Sequence, residues 1–132
     1  MLSAVRSIIL GAKPNLLKAG AWTMSVAGGT TTAVESPPGT ITITGDGANQ
    51  GRGDQSITTI IGVTYRVLAN VAGQAAGLRV GNTQGSSALI NLGLNAGAAS
   101  VTFVATAATT WVRFDRTGAS STTVTSISLK RA

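Results

Sequence analysis

The sequence predicts an all-β domain, an antiparallel β-sandwich of about eight or nine strands. Three observations lead to this fold class. Apolar and polar residues alternate over short runs, turn-forming residues separate those runs at roughly 8–12-residue spacing, and no stretch after residue 20 has convincing helical periodicity. Gly, Ala, Ser and Thr make up just over half of the 132 residues, and only 11% are charged. This composition, with 43% hydrophobic residues, is that of one folded domain with a core.

The alternating apolar residues are predicted to face that core. Ile41 and Ile43 lie between three threonines, and β-branched side chains favour strands because their χ1 is restricted. Trp22 is also predicted to be buried, on the first strand. The same period of two occurs in the runs Tyr65–Val71, Leu78–Val80, Val101–Ala105, Val112–Phe114 and Thr125–Leu129, and Thr125, Ile127 and Leu129 are expected to share a face.

Turns are predicted between these runs, where glycine can supply positive φ angles and proline a rigid bend. They fall at Gly28-Gly29, Ser36 to Gly39, Gly45 to Gly47, Ile61-Gly62, Asn70 to Gly77, Gly81 to Ser87, Gly93 to Gly97 and Thr117-Gly118.

The composition excludes several classes of chemistry. The chain has no His and no Cys, which removes Ser-His-Asp and Cys-His catalysis, thiolate redox chemistry, and zinc and haem sites. Its four carboxylates are Glu35, Asp46, Asp54 and Asp115. We therefore expect no enzyme, no catalytic residue, no cofactor and no metal site.

The segment Gly45 to Asp54 is the most unusual in the chain. Asp46 and Asp54 invite a calcium-loop interpretation, but Ala48 interrupts the alternating oxygen ligands and no Glu closes the loop. A glycosidase pair would need a carboxyl in a cleft, which nothing in this pattern indicates. Arg52-Gly53-Asp54 matches the integrin-binding tripeptide, a weak three-residue match. The segment is predicted to be a flexible surface hairpin loop.

The net charge of +6 comes almost entirely from the two ends of the chain. Arg6, Lys13 and Lys18 precede any acidic residue, and Lys130 and Arg131 follow the last one. Such ends fit docking on an acidic protein surface, with simple solubility charge as the alternative. Direct nucleic-acid binding is not expected, because the basic residues are sparse and only five aromatic residues are present. No apolar stretch is long enough for a membrane helix.

Two parts of the chain are distinguished by these patterns. Residues 1–14 are predicted to be an N-terminal arm, extended or with a short amphipathic helix over residues 2–10, and residues 15–132 the sandwich domain. In the arm, Arg6, Ile8, Ile9 and Lys13 are candidates for contact with a partner.

The run Trp111 to Asp115 carries the other candidates. Trp111, Arg113 and Asp115 alternate with Val112 and Phe114, so they should face outward or toward a partner if the latter two are in the core. Trp and Arg are enriched in interface hot spots, and an outward indole can also stack on a sugar ring. Trp111 could equally pack at the rim of its own sandwich. Interface, sugar contact and self-packing therefore stay open.

The order of these motifs resembles the jelly-roll modules of carbohydrate-binding type that occur in bacteriophage virion proteins. The resemblance spans roughly residues 15–132 and is carried by Asn15-Leu16-Leu17, Trp22, Ile57 with Gly62–Val67, Leu78–Gly81, Ser100–Ala107, Trp111–Phe114 and Val124–Lys130. Modules of this kind often have an acidic residue in the last strand, where Ser126 stands here, so no calcium site is carried over.

The resemblance implies a structural role. A lone jelly roll with a basic arm resembles capsid cement or decoration proteins, so we expect a virion protein on the capsid surface. Its expected partner is the major capsid protein, and its expected assembly a homotrimer. Trp111, Arg113, Lys130 and Arg131 would join the arm in binding, and the capsid would be stabilised by mass action. The alternative is a carbohydrate-binding tail, fibre or host-surface adhesion module.

Overall fold

The computed structural model describes residues 13–132, which form ten β-strands and confirm the all-β prediction with slightly more strands than expected. No helix in this part of the chain is long and apolar enough to cross a bilayer. The strands are β1 (Thr23–Val26), β2 (Thr32–Glu35), β3 (Ile41–Gly45), β4 (Gly51–Thr58), β5 (Thr64–Gly73), β6 (Ala76–Gly81), β7 (Ile90–Leu94), β8 (Gly97–Val104), β9 (Thr109–Arg116) and β10 (Ser120–Arg131).

The strands form two five-stranded antiparallel sheets that pack face to face. The first sheet has the order β1-β4-β9-β6-β7, and the second sheet has the order β2-β3-β10-β5-β8. Strands that are neighbours in a sheet are mostly distant in sequence, as in β4 beside β9 and β3 beside β10. This ordering is that of a sandwich in which the chain crosses repeatedly from one sheet to the other through short connections.

The core lies between the sheets and consists of the alternate residues that the sequence pattern predicts. Ile41 and Ile43 are fully buried, as are Val112 and Phe114 on the facing sheet. Trp22 immediately precedes β1 and packs against Phe114 with 5.7 Å between ring centroids, which confirms its core position. Burying side chains of this size stabilises the fold by about 1.5–3 kcal/mol each.

Strand β10 departs from the predicted alternation. Val124 and Leu129 are both buried although they are five residues apart, whereas Thr125 and Ile127 are only partly buried. The pairing with β5 shifts register between Thr125 and Ser128, and Ser126 has a φ of 52°. This bulge changes which residues face the core, so the predicted face of Thr125, Ile127 and Leu129 is wrong.

Two predicted loops are shorter than expected. β5 continues to Gly73 and β6 begins at Ala76, so the connection predicted over Asn70 to Gly77 contains only two residues. Residues 51–54 belong to β4, so the flexible loop predicted over Gly45 to Asp54 contains only residues 46–50. A Cβ at Gly53 would come within 2.8 Å of the Met24 sulfur and 3.3 Å of Ile41 Cδ1, so this glycine permits close packing there.

Most of the predicted arm lies outside the described residues. This applies to the amphipathic helix over residues 2–10 and to Arg6, Ile8 and Ile9. Lys13 and Pro14 are described and exposed. The chain then joins the sandwich at Leu16, whose backbone N–H donates to the carbonyl of Leu129 on β10 at 2.8 Å.

Candidate functional site

The outer face of the first sheet is lined by polar and charged side chains. Val112 and Phe114 face the core, so Trp111, Arg113 and Asp115 lie on the opposite side of β9. The strand register aligns the residues of this face in rows across the sheet. One row contains Thr23, Asp54, Arg113, Arg79 and Asn91, and a second contains Ser25, Arg52, Asp115, Gly77 and Gly93.

A buried ion pair lies at the centre of the first row. The Arg113 guanidinium donates to Asp54 through Nε at 2.7 Å and through one terminal nitrogen at 3.1 Å. Gln84, from the loop between β6 and β7, donates to the same carboxylate at 3.2 Å. Asp54 is only 1% exposed, so its charge is stabilised by these donors rather than by water.

A second ion pair lies beside it. Asp115 accepts a hydrogen bond from Arg79 Nε at 3.2 Å, and Arg79 also donates to Asn91 on β7. Gly77, next to Asp115, leaves the space that this carboxylate occupies, because a Cβ there would collide with Asp115 Oδ1. Asp115 was expected to face outward; it does, but the pairing leaves it 4% exposed.

A cleft of about 430 Å³ opens beside these pairs. Trp111 lies on one wall, and the segment that leads into β1 forms the other. The cleft is lined by Leu16, Lys18, Ala21, Thr23, Asp54, Gln55, Ser56, Ile57, Thr58 and Trp111. Its volume lies within the roughly 300–1,000 Å³ typical of small-molecule sites. Trp111 is half-buried, so it is neither sealed in the core nor fully in solvent.

Two side chains fix the wall that faces Trp111. Gln55 accepts from the backbone N–H of Lys18 at 2.7 Å and donates to the Lys18 carbonyl at 3.1 Å. Glu35 accepts from the backbone N–H groups of Gly20 at 2.6 Å and Trp22 at 3.2 Å. The cleft is therefore preformed by hydrogen bonds within the chain.

The two remaining carboxylates that are not ion-paired are bound by backbone donors. Burial alone would raise the pKa of Glu35, but N–H donors from Gly39, Gly20 and Trp22 outweigh it and hold the pKa below its usual range. The side chain of Asn49, with the N–H groups of Asn49 and Ala48, lowers the pKa of Asp46 well below its usual range. Both carboxylates hold turns in place.

The aspartates considered for calcium lie in different environments. Asp46 is in the loop before β4 and Asp54 is within β4, bound to Arg113. Among the described residues, no three acidic side chains form a group that could hold a metal ion.

Three other residues predicted to contact a partner, Lys13, Lys130 and Arg131, lie away from the cleft. Lys130 lies on the outer face of the second sheet, and Arg131 lines a smaller groove of about 200 Å³ with Pro14, Leu16, Thr58, Ile60 and Tyr65. Lys13 is exposed just before this groove. Arg113 lies beside the Trp111 cleft, but Asp54 already engages its guanidinium.

Sequence reasoning missed Asp54, Gln55 and Glu35 as site-forming residues. For Asp54 the sequence did contain a signal. One residue separates Arg52 from Asp54, and one separates Arg113 from Asp115. An antiparallel pairing of these two segments places each arginine opposite an aspartate. Nothing in the local sequence indicated the roles of Gln55 and Glu35, because their partners are backbone groups of a distant segment.

No protein-family model matches the sequence, and a search of curated proteins finds no match. Solved structures do match. The family 61 carbohydrate-binding module TmCBM61, solved in complex with β-1,4-galactotriose, is 12% identical and has a TM-score of 0.58, with 90% of this chain and 99% of that one covered. A CBM4 structure is 16% identical, with a TM-score of 0.53 and coverage of 84% and 86%.

The fold is the jelly roll of carbohydrate-binding modules. A domain of the same fold occurs in the enzymatically active domain of tailspike protein 4 of bacteriophage CBA120. This structure is 14% identical with a TM-score of 0.57, and the match covers 86% of this chain and 20% of that one. The resemblance read from the strand pattern is thus confirmed for the jelly roll of carbohydrate-binding type. At these identities the likeness establishes the fold alone.

Proposed function

We propose that this protein is a glycan-binding module and that its site is the Trp111 cleft. The observation that carries the proposal is a half-buried indole in an open, preformed cleft with hydroxyl groups around it. Sugar rings present an apolar C–H face and a rim of hydroxyl groups. An aromatic ring beside hydrogen-bonding side chains complements both features.

Each group in the cleft has a role in this proposal. The Trp111 ring supports one face of a sugar ring, and the hydroxyl groups of Thr23 and Ser56 exchange hydrogen bonds with sugar hydroxyls. Lys18 supplies a cation at the wall. The ion pair of Asp54 and Arg113 holds β4 and β9 in fixed register beneath the cleft, so little conformational entropy is lost on binding.

The similar structures support this proposal by their fold, and one of them suggests the first ligand to test. Because TmCBM61 was solved with β-1,4-galactotriose, we would use that trisaccharide and β-1,4-galactan first. A panel of neutral and uronic-acid-containing polysaccharides would follow, since the cleft also contains Lys18.

We propose further that the module is not catalytic. General acid–base hydrolysis of glycosides needs two carboxyl groups that are available to the substrate. Here Glu35 and Asp46 hold backbone turns, and Asp54 and Asp115 are ion-paired. Incubation with each bound polysaccharide should release no reducing ends above the buffer blank. Release by the wild-type protein would contradict this part of the proposal.

The test of binding is a Trp111→Ala variant measured by affinity electrophoresis and calorimetry. Losing the stacking surface should weaken binding at least about tenfold, equivalent to about 1.4 kcal/mol. Trp111→Phe should retain part of the affinity because it keeps an aromatic ring. Val34→Ala is a matched control: it shortens a side chain that is 52% exposed on the outer face of the second sheet.

The thermal unfolding midpoint of each variant separates binding from folding. A folded Trp111→Ala that binds as well as wild type would overturn the assignment of the site. No binding of wild type to any glycan in the panel would overturn the proposed function.

The capsid-cement interpretation stays a prediction. The major capsid protein as partner, the trimer and the location on the virion are likewise untested, and no observation on the described residues favours them over glycan binding. Light scattering after size exclusion measures the oligomeric state directly. A tail or fibre setting for a glycan-binding module is compatible with the similarity to a tailspike domain.

A further inference from the structure

The outer face of the second sheet carries two like charges in direct apposition. Lys130 on β10 is the cross-strand partner of Arg66 on β5. Both side chains lie on the outer side, because the residues that flank them in register, Val67 and Leu129, are buried in the core. Thr102 on β8 continues the row on the other side of Arg66.

This apposition is unfavourable in the free protein, since like charges directly opposite each other in an antiparallel pair repel. The chain has four acidic residues and none relieves the repulsion. Asp54 and Asp115 are paired with arginines of the first sheet, and Glu35 and Asp46 bind backbone N–H groups. Among residues 13–132, no acidic side chain therefore compensates the positive charge at Arg66 and Lys130.

Exposed aliphatic side chains adjoin this charged pair. Leu68 is two residues along β5 on the same face and 38% exposed, and Val104 on the edge strand β8 is 49% exposed. We define the basic patch as Arg66, Lys130, Leu68 and Val104.

We propose that the basic patch docks on a carboxylate-rich surface of a partner protein. A guanidinium and an ammonium group side by side are complementary to neighbouring carboxylates, and binding them removes the repulsion between Arg66 and Lys130. Leu68 and Val104 supply the small apolar contact that typically accompanies charge pairs in protein interfaces.

Two observations favour a protein over a nucleic acid. A nucleic-acid site generally neutralises many phosphates, whereas this patch has two cations. Single-stranded binding also uses aromatic side chains, and on the described part of this face there are none: Tyr65 and Phe103 are buried, and Trp111 lies on the other sheet.

The patch lies on the opposite sheet from the Trp111 cleft. The inference thus goes beyond glycan binding and does not depend on it. A module with both surfaces could attach to a partner protein while the cleft holds a glycan.

The experiment measures binding to immobilised poly-L-glutamate at low salt. The test variant Arg66→Thr/Lys130→Thr removes both charges and introduces threonine, the residue already present at the neighbouring outer-face positions 64 and 102. The control Lys13→Gln/Arg52→Gln removes the same amount of charge outside the basic patch. We expect the test variant to lose about tenfold in affinity and the control to stay within about threefold of wild type.

Three results would overturn the proposal. Equal losses in both double variants would mean that only net charge matters. No loss in the test variant would mean that the patch is not the contact. Tighter binding of wild type to a short duplex DNA than to poly-L-glutamate, with the same dependence on Arg66 and Lys130, would assign the patch to nucleic acid instead.

A single substitution tests the physical premise. Lys130→Glu places a carboxylate opposite Arg66, so the thermal unfolding midpoint should rise while the affinity for poly-L-glutamate falls. An unchanged or lower midpoint in a folded variant would contradict the claimed repulsion. Unchanged affinity would contradict the docking role.

Discussion

The outer faces of the two sheets are both formed by antiparallel strands, but they differ in how their charged groups are paired. On the first sheet, Asp54 and Asp115 are almost completely buried beneath their arginine partners. On the second sheet, hydroxyl groups pair across strands, as between Thr44 and Ser121 at 2.6 Å, and within residues 13–132 no carboxylate pairs with Arg66 or Lys130. The charged groups of the first face are therefore satisfied within the chain, whereas those of the second rely on solvent or on a partner. An outward direction along a strand does not by itself make a residue a surface residue.

The largest expected contrast comes from removing one cation from each face. Arg113→Ala leaves Asp54 buried with only Gln84 as a side-chain donor, and breaking a buried pair in this way costs about 3–5 kcal/mol of stability. Lys130→Ala should change the free energy of unfolding by less than about 0.5 kcal/mol or stabilise the protein slightly. Urea unfolding measures both. Similar values for the two variants would mean that the first face is not held by its ion pairs.

Two glycines that are cross-strand partners in the first sheet allow a second comparison, between a position beside an ion pair and one in open space. A Cβ at Gly77 would meet Asp115 Oδ1, whereas a Cβ at Gly93 on the neighbouring strand meets nothing within 4 Å. Gly77→Ala should therefore destabilise by about 1–3 kcal/mol through displacement of the second ion pair. Gly93→Ala should be neutral or stabilising by up to about 1 kcal/mol because the unfolded chain loses freedom. Equal effects would show that the space beside Asp115 is not needed.

The contribution of Glu35, the one carboxylate on a strand of the second sheet, can be tested by substitution. Glu35→Gln replaces an anionic acceptor of three backbone hydrogen bonds and should cost about 1 kcal/mol at pH 7, a value reduced by its partial exposure. Because the folded-state pKa is lowered, this stabilisation is present above the usual pKa of 4.5 and is lost as the pH falls through the folded value. The difference in free energy of unfolding between wild type and variant should thus decrease below about pH 4.5. A difference that is independent of pH would mean that the carboxylate charge contributes nothing.

The smallest effects concern neighbouring threonines on β10. Thr122 faces the core, and within residues 13–132 its hydroxyl has no hydrogen-bond partner. Thr122→Val should stabilise the protein by about 1 kcal/mol by removing an unsatisfied buried group. Thr123→Val on the outer face should stay within about 0.5 kcal/mol of wild type. Destabilisation by Thr122→Val would indicate that a buried water satisfies the hydroxyl.

The alternation of apolar residues was enough to predict most of the fold. Ile41, Ile43 and the run from Tyr65 to Val71 face the core as expected, because a half-buried strand imposes a period of two wherever its pairing is regular. The pattern failed on β10, where the bulge near Ser126 inserts a residue and changes the face. Local sequence carries no clear signal for such a register shift.

The candidate site could be predicted only in part. The outward position of Trp111 followed from Val112 and Phe114, but the wall that faces it did not. Gly51 and Gly53 made β4 look like a loop, because glycine has low strand propensity and the pairing of β4 with β1 and β9 is long-range. The ion pair between Asp54 and Arg113 depends on the pairing of β4 with β9, so it could not be predicted once Gly51 and Gly53 had led to the assignment of a loop.

The internal binding of all four carboxylates has a consequence for the environments in which this protein can work. The chain has no histidine and no cysteine, the side chains that ordinarily change protonation near neutrality, and the pKa values of Glu35 and Asp46 are lowered further from that range. The chain thus has few side chains that titrate near neutrality, and its side-chain net charge of +6 should change little there. Attachment through charged surfaces would then depend on the ionic strength of the medium and only weakly on pH near neutrality.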